Sequence, residues 1–319
     1  IERIVRGGSR RFRHQSIRTL YLSLLCGTAA LTILLTATLG GQVSMRALAA
    51  TGAAVFELTV FAQIAAICLI TPILFAGAID QEASPRTWDL LRTTPLSSIG
   101  IVLGSLLGRL FFVLALIVAG LPILFIIRAF GGVSTTPVLQ SAVIAICTAT
   151  VVASAAVMLS ATRSGGRRGV LIYFAGIGLV LTATWVGNTA LVQGISGSMG
   201  ARTTVFTPLN PFLVLDAVLH PTHPLVTTSY SSPLVAFWFG RPLEAFVAVS
   251  GVMTLGMLGW GILRVRILGP WMGQVAKTVS SNTRVARLIG RNPVAWRESA
   301  GRPRGRWDTL ARWSWAAAA

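Results

Sequence analysis

The sequence predicts an all-α polytopic membrane protein of about six transmembrane helices, with a cytoplasmic elbow helix between spans two and three. Three observations carry this. Of 319 residues 54% are hydrophobic and only 11% charged, where a soluble domain has about 25% charged residues. Several apolar runs exceed the roughly 18 residues that mark a spanning helix. The basic residues gather between those runs, where orientation in a membrane is decided.

A basic leader opens the chain. Residues 1–18 carry Arg3, Arg6, Arg10, Arg11, Arg13 and Arg18, with Ile4, Val5 and Phe12 available to touch lipid. The Gly7–Gly8 pair argues against one continuous helix, so the leader is expected at the membrane surface. The first span is Ile17 to Leu39. The second is Ala53 to Ile79, with Pro72 as a kink site. The third, Ile99 to Ile127, has Pro122 near its far end. The fourth is Val138 to Ala161. The fifth, Val170 to Val186, is only just long enough, and the sixth is Leu243 to Leu263. An even number of spans puts both ends of the chain on one side.

Arginine placement names that side. With both ends in the cytoplasm, 22 of the 27 basic residues fall on the cytoplasmic face, against Arg46, Arg128, Arg202 and Arg241 on the other. This follows the positive-inside rule. The formal net charge of +18 is therefore a topological signal, and nucleic acid is not an expected partner. Cys26, Cys68 and Cys147 lie inside apolar runs without CxxC spacing and read as small hydrophobes; neither a disulfide nor a metal site is expected from them.

The connection from span two to span three is the most informative part of the chain. Residues 80–97 hold Asp80, Glu82 and Asp89, three of only nine acidic residues. Ser84 can cap a helix and Pro85 suits its first position. A short helix then runs through Arg92, with Trp88 and Leu91 three apart on one face. Pro95 disfavours helical geometry at Thr94 and ends it. The product is a rigid elbow with an aromatic-aliphatic face at the inner surface. By physical chemistry alone, an interfacial helix resting on lipid headgroups accounts for it equally well.

The elbow resembles a known signature. Arg86-Thr87-Trp88-Asp89-Leu90-Leu91-Arg92-Thr93-Thr94-Pro95-Leu96-Ser97 is similar to the hallmark of ABC-2 type transporter permeases, the membrane-spanning subunits of ABC exporters. There the segment follows the second span on the cytoplasmic side and meets the ATPase. The resemblance implies an ATPase-coupling surface at Glu82, Arg86, Thr87, Trp88, Asp89, Leu90, Leu91, Thr94, Pro95 and Leu96. Ala83 and Ser84 stand where the family carries a basic and a second acidic residue. Asn292-Pro293-Val294-Ala295-Trp296-Arg297-Glu298 resembles the segment that opens many such permeases, implying that a second permease half starts here. Shifting the tail by 294 positions pairs Arg297, Gly301, Arg304 and Arg312 with Arg3, Gly7, Arg10 and Arg18. A basic cytoplasmic tail is the plainer account.

From these readings follow a permease domain at 1–264 and a basic segment at 265–319. The resemblance further implies ATP-driven export in a bacterial plasma (inner) membrane. Its partners would be an ABC ATPase subunit, the lipid bilayer, and a second permease half or a homodimer. The chain has no GxxxxGK[ST] segment, so ATP and Mg would be held by the partner ATPase; no catalytic or metal-ligating residue is assigned here.

Three features stand outside that picture. Glu57 and Arg109 are intramembrane charges and functional suspects for that reason, although Arg109 also fits a side chain snorkelling toward the inner surface. Their estimated depths do not match, so they are not expected to pair. The outer segment 187–242 is too apolar at Val205–Leu215 and Leu234–Phe239 for a free loop; short helices dipping into the leaflet and a plain structured loop both fit it. His220 and His223 there are a poor metal pair, and Asp216 reads as a capping or solvent group. An alternative function is a membrane-embedded enzyme or scaffold using this segment; a channel or purely structural membrane protein is a third.

Overall fold

The computed structural model describes residues 12–39, 45–75, 98–129, 131–161, 167–194, 203–220 and 232–281. The described residues form helices and connecting turns, with no strand. The long helices are α1 (Phe12–Leu39), α2 (Met45–Phe75), α3 (Ser98–Ala129), α4 (Thr135–Ala161) and α5 (Arg167–Gly194). A 3-10 turn at Thr207–Leu209 leads into two short helices, α6 (Pro211–Leu219) and α7 (Pro233–Gly240), and then α8 (Pro242–Ser281). Six helices, α1 to α5 and α8, are long and apolar enough to cross a membrane. The chain is a multi-pass membrane protein.

It divides into two compact units, Ile1–Trp271 and Met272–Ala319. The first holds the six spans. Of the second, only 272–281 are described, and they are helical.

Within the first unit α2 is the hub. It packs against α1, α3, α4, α5 and α6, and 56% of its apolar window is buried, the same share as in α4. In α5 the share is 11%, and in α1 and α8 17%. The apolar residues that α5 leaves exposed, such as Leu171, Leu179 and Val186, are the surface that lipid solvates. The sixth span meets the fourth where Ser154 Oγ lies 3.6 Å from Met257 Sδ and where Gly261 passes the Met158 backbone.

Hydroxyl groups survive in these apolar helices by bonding backwards to their own backbone. Thr28 donates to the Leu25 carbonyl, Thr32 to Thr28, Thr59 to Val55 and Thr148 to Ile144. The turn between α3 and α4 has a different device. Gly131 and Gly132 adopt φ of 93° and 82°, a region glycine enters without steric cost. A Cβ on Gly132 would sit 2.1 Å from the Ala49 carbonyl oxygen. Glycine is required there twice over, by conformation and by contact with α2.

Several helix limits differ from the sequence expectation: α1 starts at Phe12 rather than Ile17, and α8 runs on to Ser281 rather than Leu263. The second span starts at Met45, eight residues before Ala53. Its first turns, Met45-Arg46-Ala47-Leu48-Ala49-Ala50, are good helix formers and gain contact with the α3–α4 turn at Ala49. The fifth span extends to Gly194 rather than Val186; polar partners from the following segment account for this. Residues 76–79, the expected end of span two, lie outside the described residues.

Candidate functional site

The ten elbow residues Glu82, Arg86, Thr87, Trp88, Asp89, Leu90, Leu91, Thr94, Pro95 and Leu96 lie outside the described residues, as do 292–298. What is described is the pair of helix ends that the elbow joins. The α2 helix ends at Phe75, which is fully buried, and α3 begins at Ser98.

Arg109 links these two helices. Its Nη1 donates to the Leu74 carbonyl oxygen at 2.9 Å. Leu74 is in the last described turn of α2, and a guanidinium is favoured toward the C-terminal, negative end of a helix dipole. Arg109 thus bridges α3 to the end of α2 that leads to the elbow segment. The contact lies next to the point where the chain leaves α2 for the elbow.

Glu57 belongs to a different cluster. His220 Nδ1 is 3.0 Å from Asp216 Oδ1, and His220 Nε2 is 3.8 Å from Glu57 Oε2. The imidazole stands between two carboxylates and ties the end of α6 to α2. All three side chains are about one-third to two-fifths exposed, so the link is worth about 0–1 kcal/mol. Among the described residues no three His, Cys, Asp or Glu groups converge to hold a metal; His223 lies outside them.

The segment ahead of α6 is built on side-chain hydrogen bonds that the sequence did not single out. Asn210 is buried and extended, with φ −124° and ψ 119°, as a residue before proline should be. Its Oδ1 accepts from Phe212 N at 3.0 Å, capping α6, and Pro211 fills the first helical position. Its Nδ2 donates to the Leu181 carbonyl and to Thr184 Oγ1 on α5. Thr204 Oγ1 donates to Asn188 Oδ1 at 2.7 Å, and Thr204 N to Thr207 Oγ1 at 2.9 Å. Phe206 lies where a side chain on Gly187 would be. These partners hold Thr184, Gly187 and Asn188 inside helical geometry and lengthen α5. Phe212 stacks on Phe61 of α2 at 6.1 Å, and Leu213, Val214 and Leu215 are buried. The apolar stretch Val205–Leu215 is thus a turn and a short helix, covered by protein at Leu213 to Leu215 but exposed at Val205 and Leu209, and Leu234–Phe239 lies in α7. The readable signal was Asn210-Pro211, an N-cap followed by proline at the first helical position.

Deep in the bundle a second polar group was also missed. Tyr21 of α1, Gln63 of α2 and Gly120 of α3 meet at one point. A Cβ on Gly120 would lie 2.8 Å from Tyr21 Oη and 3.6 Å from Gln63 Nε2. Both side chains are 1% exposed. They are near enough to act on one another, yet hydroxyl and amide do not meet with hydrogen-bond geometry. The signal was a lone amide inside an apolar run.

The chain matches no family model, and no curated protein matches its sequence.

Proposed function

We propose that this chain is the membrane-spanning permease subunit of an ABC-2 type exporter, in a bacterial plasma (inner) membrane with both ends cytoplasmic. The observation that carries the reading is the run Arg86 to Ser97, between the second and third of six apolar helices. ATP and Mg belong to a separate ATPase beneath the membrane. Closure of that partner pushes on the elbow, and the elbow moves α2 and α3, which pack directly on each other. Any such step needs the partner to bind two arrangements of the helices with different affinity. A second permease half or a second copy completes the pathway.

The Arg109–Leu74 contact supports this reading, because it ties the two spans just where the elbow would drive them. The enzyme alternative would draw on the polar groups of 187–242. Several of those described are committed to one another: Thr204 to Asn188, Thr207 to Thr204 N, and Asn210 to α5 and α6, while Thr203 Oγ1 has no hydrogen-bond partner among the described residues. They serve as scaffold in this arrangement.

The test is reconstitution in liposomes with a candidate ABC ATPase partner. Replacing Trp88 and Leu91 together by Asp is expected to lower the stimulated ATP hydrolysis by about tenfold, equivalent to ~1.4 kcal/mol, with membrane insertion unchanged. Stimulation at the unmutated level in the double variant refutes elbow coupling.

A further inference from the structure

We propose that Tyr21, Gln63 and Gly120 form a binding site, inside the membrane, for an uncharged hydrogen-bonding group: water, or a hydroxyl or amide of a transported molecule. A buried glutamine amide offers two donors and two acceptor positions. Among the described residues, Nε2 and Oε1 of Gln63 and Oη of Tyr21 have no partner in hydrogen-bond geometry, although Tyr21 and Gln63 lie close enough to act on each other. A Tyr21–Gln63 bond, formed by small rotations, would still leave most of the amide unused. Polar groups this deep are seldom left unmet, because lipid supplies neither donors nor acceptors.

The other buried tyrosine shows how such a group is ordinarily settled. Tyr173 of α5 donates its hydroxyl to the Val152 carbonyl of α4. The hydroxyls of Thr59 and Thr148 are also settled, by their own helices. Gln63 and Tyr21 are different. They come from two helices and converge on a glycine of a third, where a Cβ would come within 2.8 Å of Tyr21 Oη and 3.2 Å of Leu25 Cδ1, so only glycine lets the two polar groups stand this close to α3.

The depth fits a site within the bilayer. Eleven residues separate Gln63 from Leu74 on α2, and eleven separate Arg109 from Gly120 on the antiparallel α3. At 1.5 Å per residue the polar point lies about 16 Å from the Arg109 contact, near the middle of a hydrocarbon core about 30 Å thick. No charged side chain is among its neighbours at Gly120 or in the apolar cluster of Tyr21, Leu25, Ala66 and Leu116. An ion would therefore meet no compensating charge there, so the guest is neutral.

The occupant as part of a cargo rests on the exporter reading; the site itself does not. The test uses the full chain in liposomes, with Cys26, Cys68 and Cys147 replaced by alanine. Ala66→Cys, beside Tyr21, is the reporter, and Ile64→Cys, equally buried outside that cluster, is the control. The probe is a water-soluble methanethiosulfonate, which reacts with thiolate and hence where water reaches. The Ala66→Cys thiol is expected to react at least about tenfold faster than the Ile64→Cys thiol. Adding Gln63→Leu, Tyr21→Phe or Gly120→Ala is expected to slow it toward the control. Glycerol and acetamide separate the sources: slowing by either indicates a hydroxyl or amide guest, and an unchanged rate indicates water. Equal rates for Ala66→Cys and Ile64→Cys overturn the site, as does a reporter rate indifferent to Gln63→Leu. Because this assay needs no ATPase, a reactive site with no elbow effect on ATP hydrolysis would remove the exporter reading and leave the site standing.

Discussion

Asn210 uses its whole side chain: the oxygen caps α6, and the nitrogen donates twice to α5. Replacing it with alanine removes the α6 cap, leaves the part-buried Phe212 N–H without its side-chain acceptor and cuts the two bonds to α5, at a cost of about 2 kcal/mol. Asn210→Asp keeps the cap but loses both donors and sets a carboxylate against a carbonyl oxygen. It is expected to be no more stable than alanine in thermal unfolding in detergent, although a cap alone would tolerate it. Gly132→Ala is expected to be among the most damaging single-methyl additions, because its Cβ would meet the Ala49 backbone at 2.1 Å in a left-handed conformation costing about 1–3 kcal/mol by itself. The same thermal assay checks it. Both roles were half-legible. Asn-Pro reads as a helix start, and Gly131-Gly132 as a turn, but the partner of each lies on a distant helix that no local pattern points to.

Among the elements, α2 and α3 form a pair held at the elbow end by Arg109. Arg109→Met keeps a stem of similar length and removes the charged donor to the Leu74 carbonyl, for a loss of about 1–3 kcal/mol. Arg109→Lys restores the charge but not the guanidinium geometry and is expected to recover only part of it. If the pair transmits the elbow's movement, the methionine variant also lowers ATPase stimulation in liposomes, an effect that stability alone would not produce at temperatures where the variant stays folded. The hydropathy pattern gave away these helices to within a few residues, because a membrane imposes length and apolarity on each span independently. It failed at Ser281, where α8 runs on well past the apolar stretch that ends at Leu263, and at Met45 and Gly194, where the limit is set by contacts between elements. The short helices α6 and α7 were open to two interpretations for the same reason: Leu213 to Leu215 are apolar because α2 and α4 cover them, and cover is not visible in the segment itself.

For the whole molecule, six spans and the crowding of basic residues toward one face define a topology that can be checked directly. A reporter fluorescent only in the cytoplasm is expected to shine when fused after Gly166 or Arg264 and to stay dark when fused after Gly132 or Gly194. The reverse pattern would invert the orientation and move the elbow away from any cytoplasmic ATPase. The class of protein was legible from composition, since few charges and long apolar runs leave no soluble alternative. The site was less so. Elbow residues announce themselves by sequence likeness, whereas Tyr21, Gln63 and Gly120 are separated by more than forty residues at each step and become neighbours only through packing.

The central place of α2 also bears on how the chain is made. It is the second span to leave the ribosome, yet Phe61 finds Phe212, and Glu57 finds His220, only after about 150 more residues have been synthesised. Until then Phe61 and the Glu57 carboxylate sit in a half-built bundle, with lipid or an insertion factor as company. A nascent chain stalled after the fourth span should therefore stay bound to the insertion machinery, and one stalled after residue 220 should be released. Assembly of this protein would then finish at a short helix that crosses nothing.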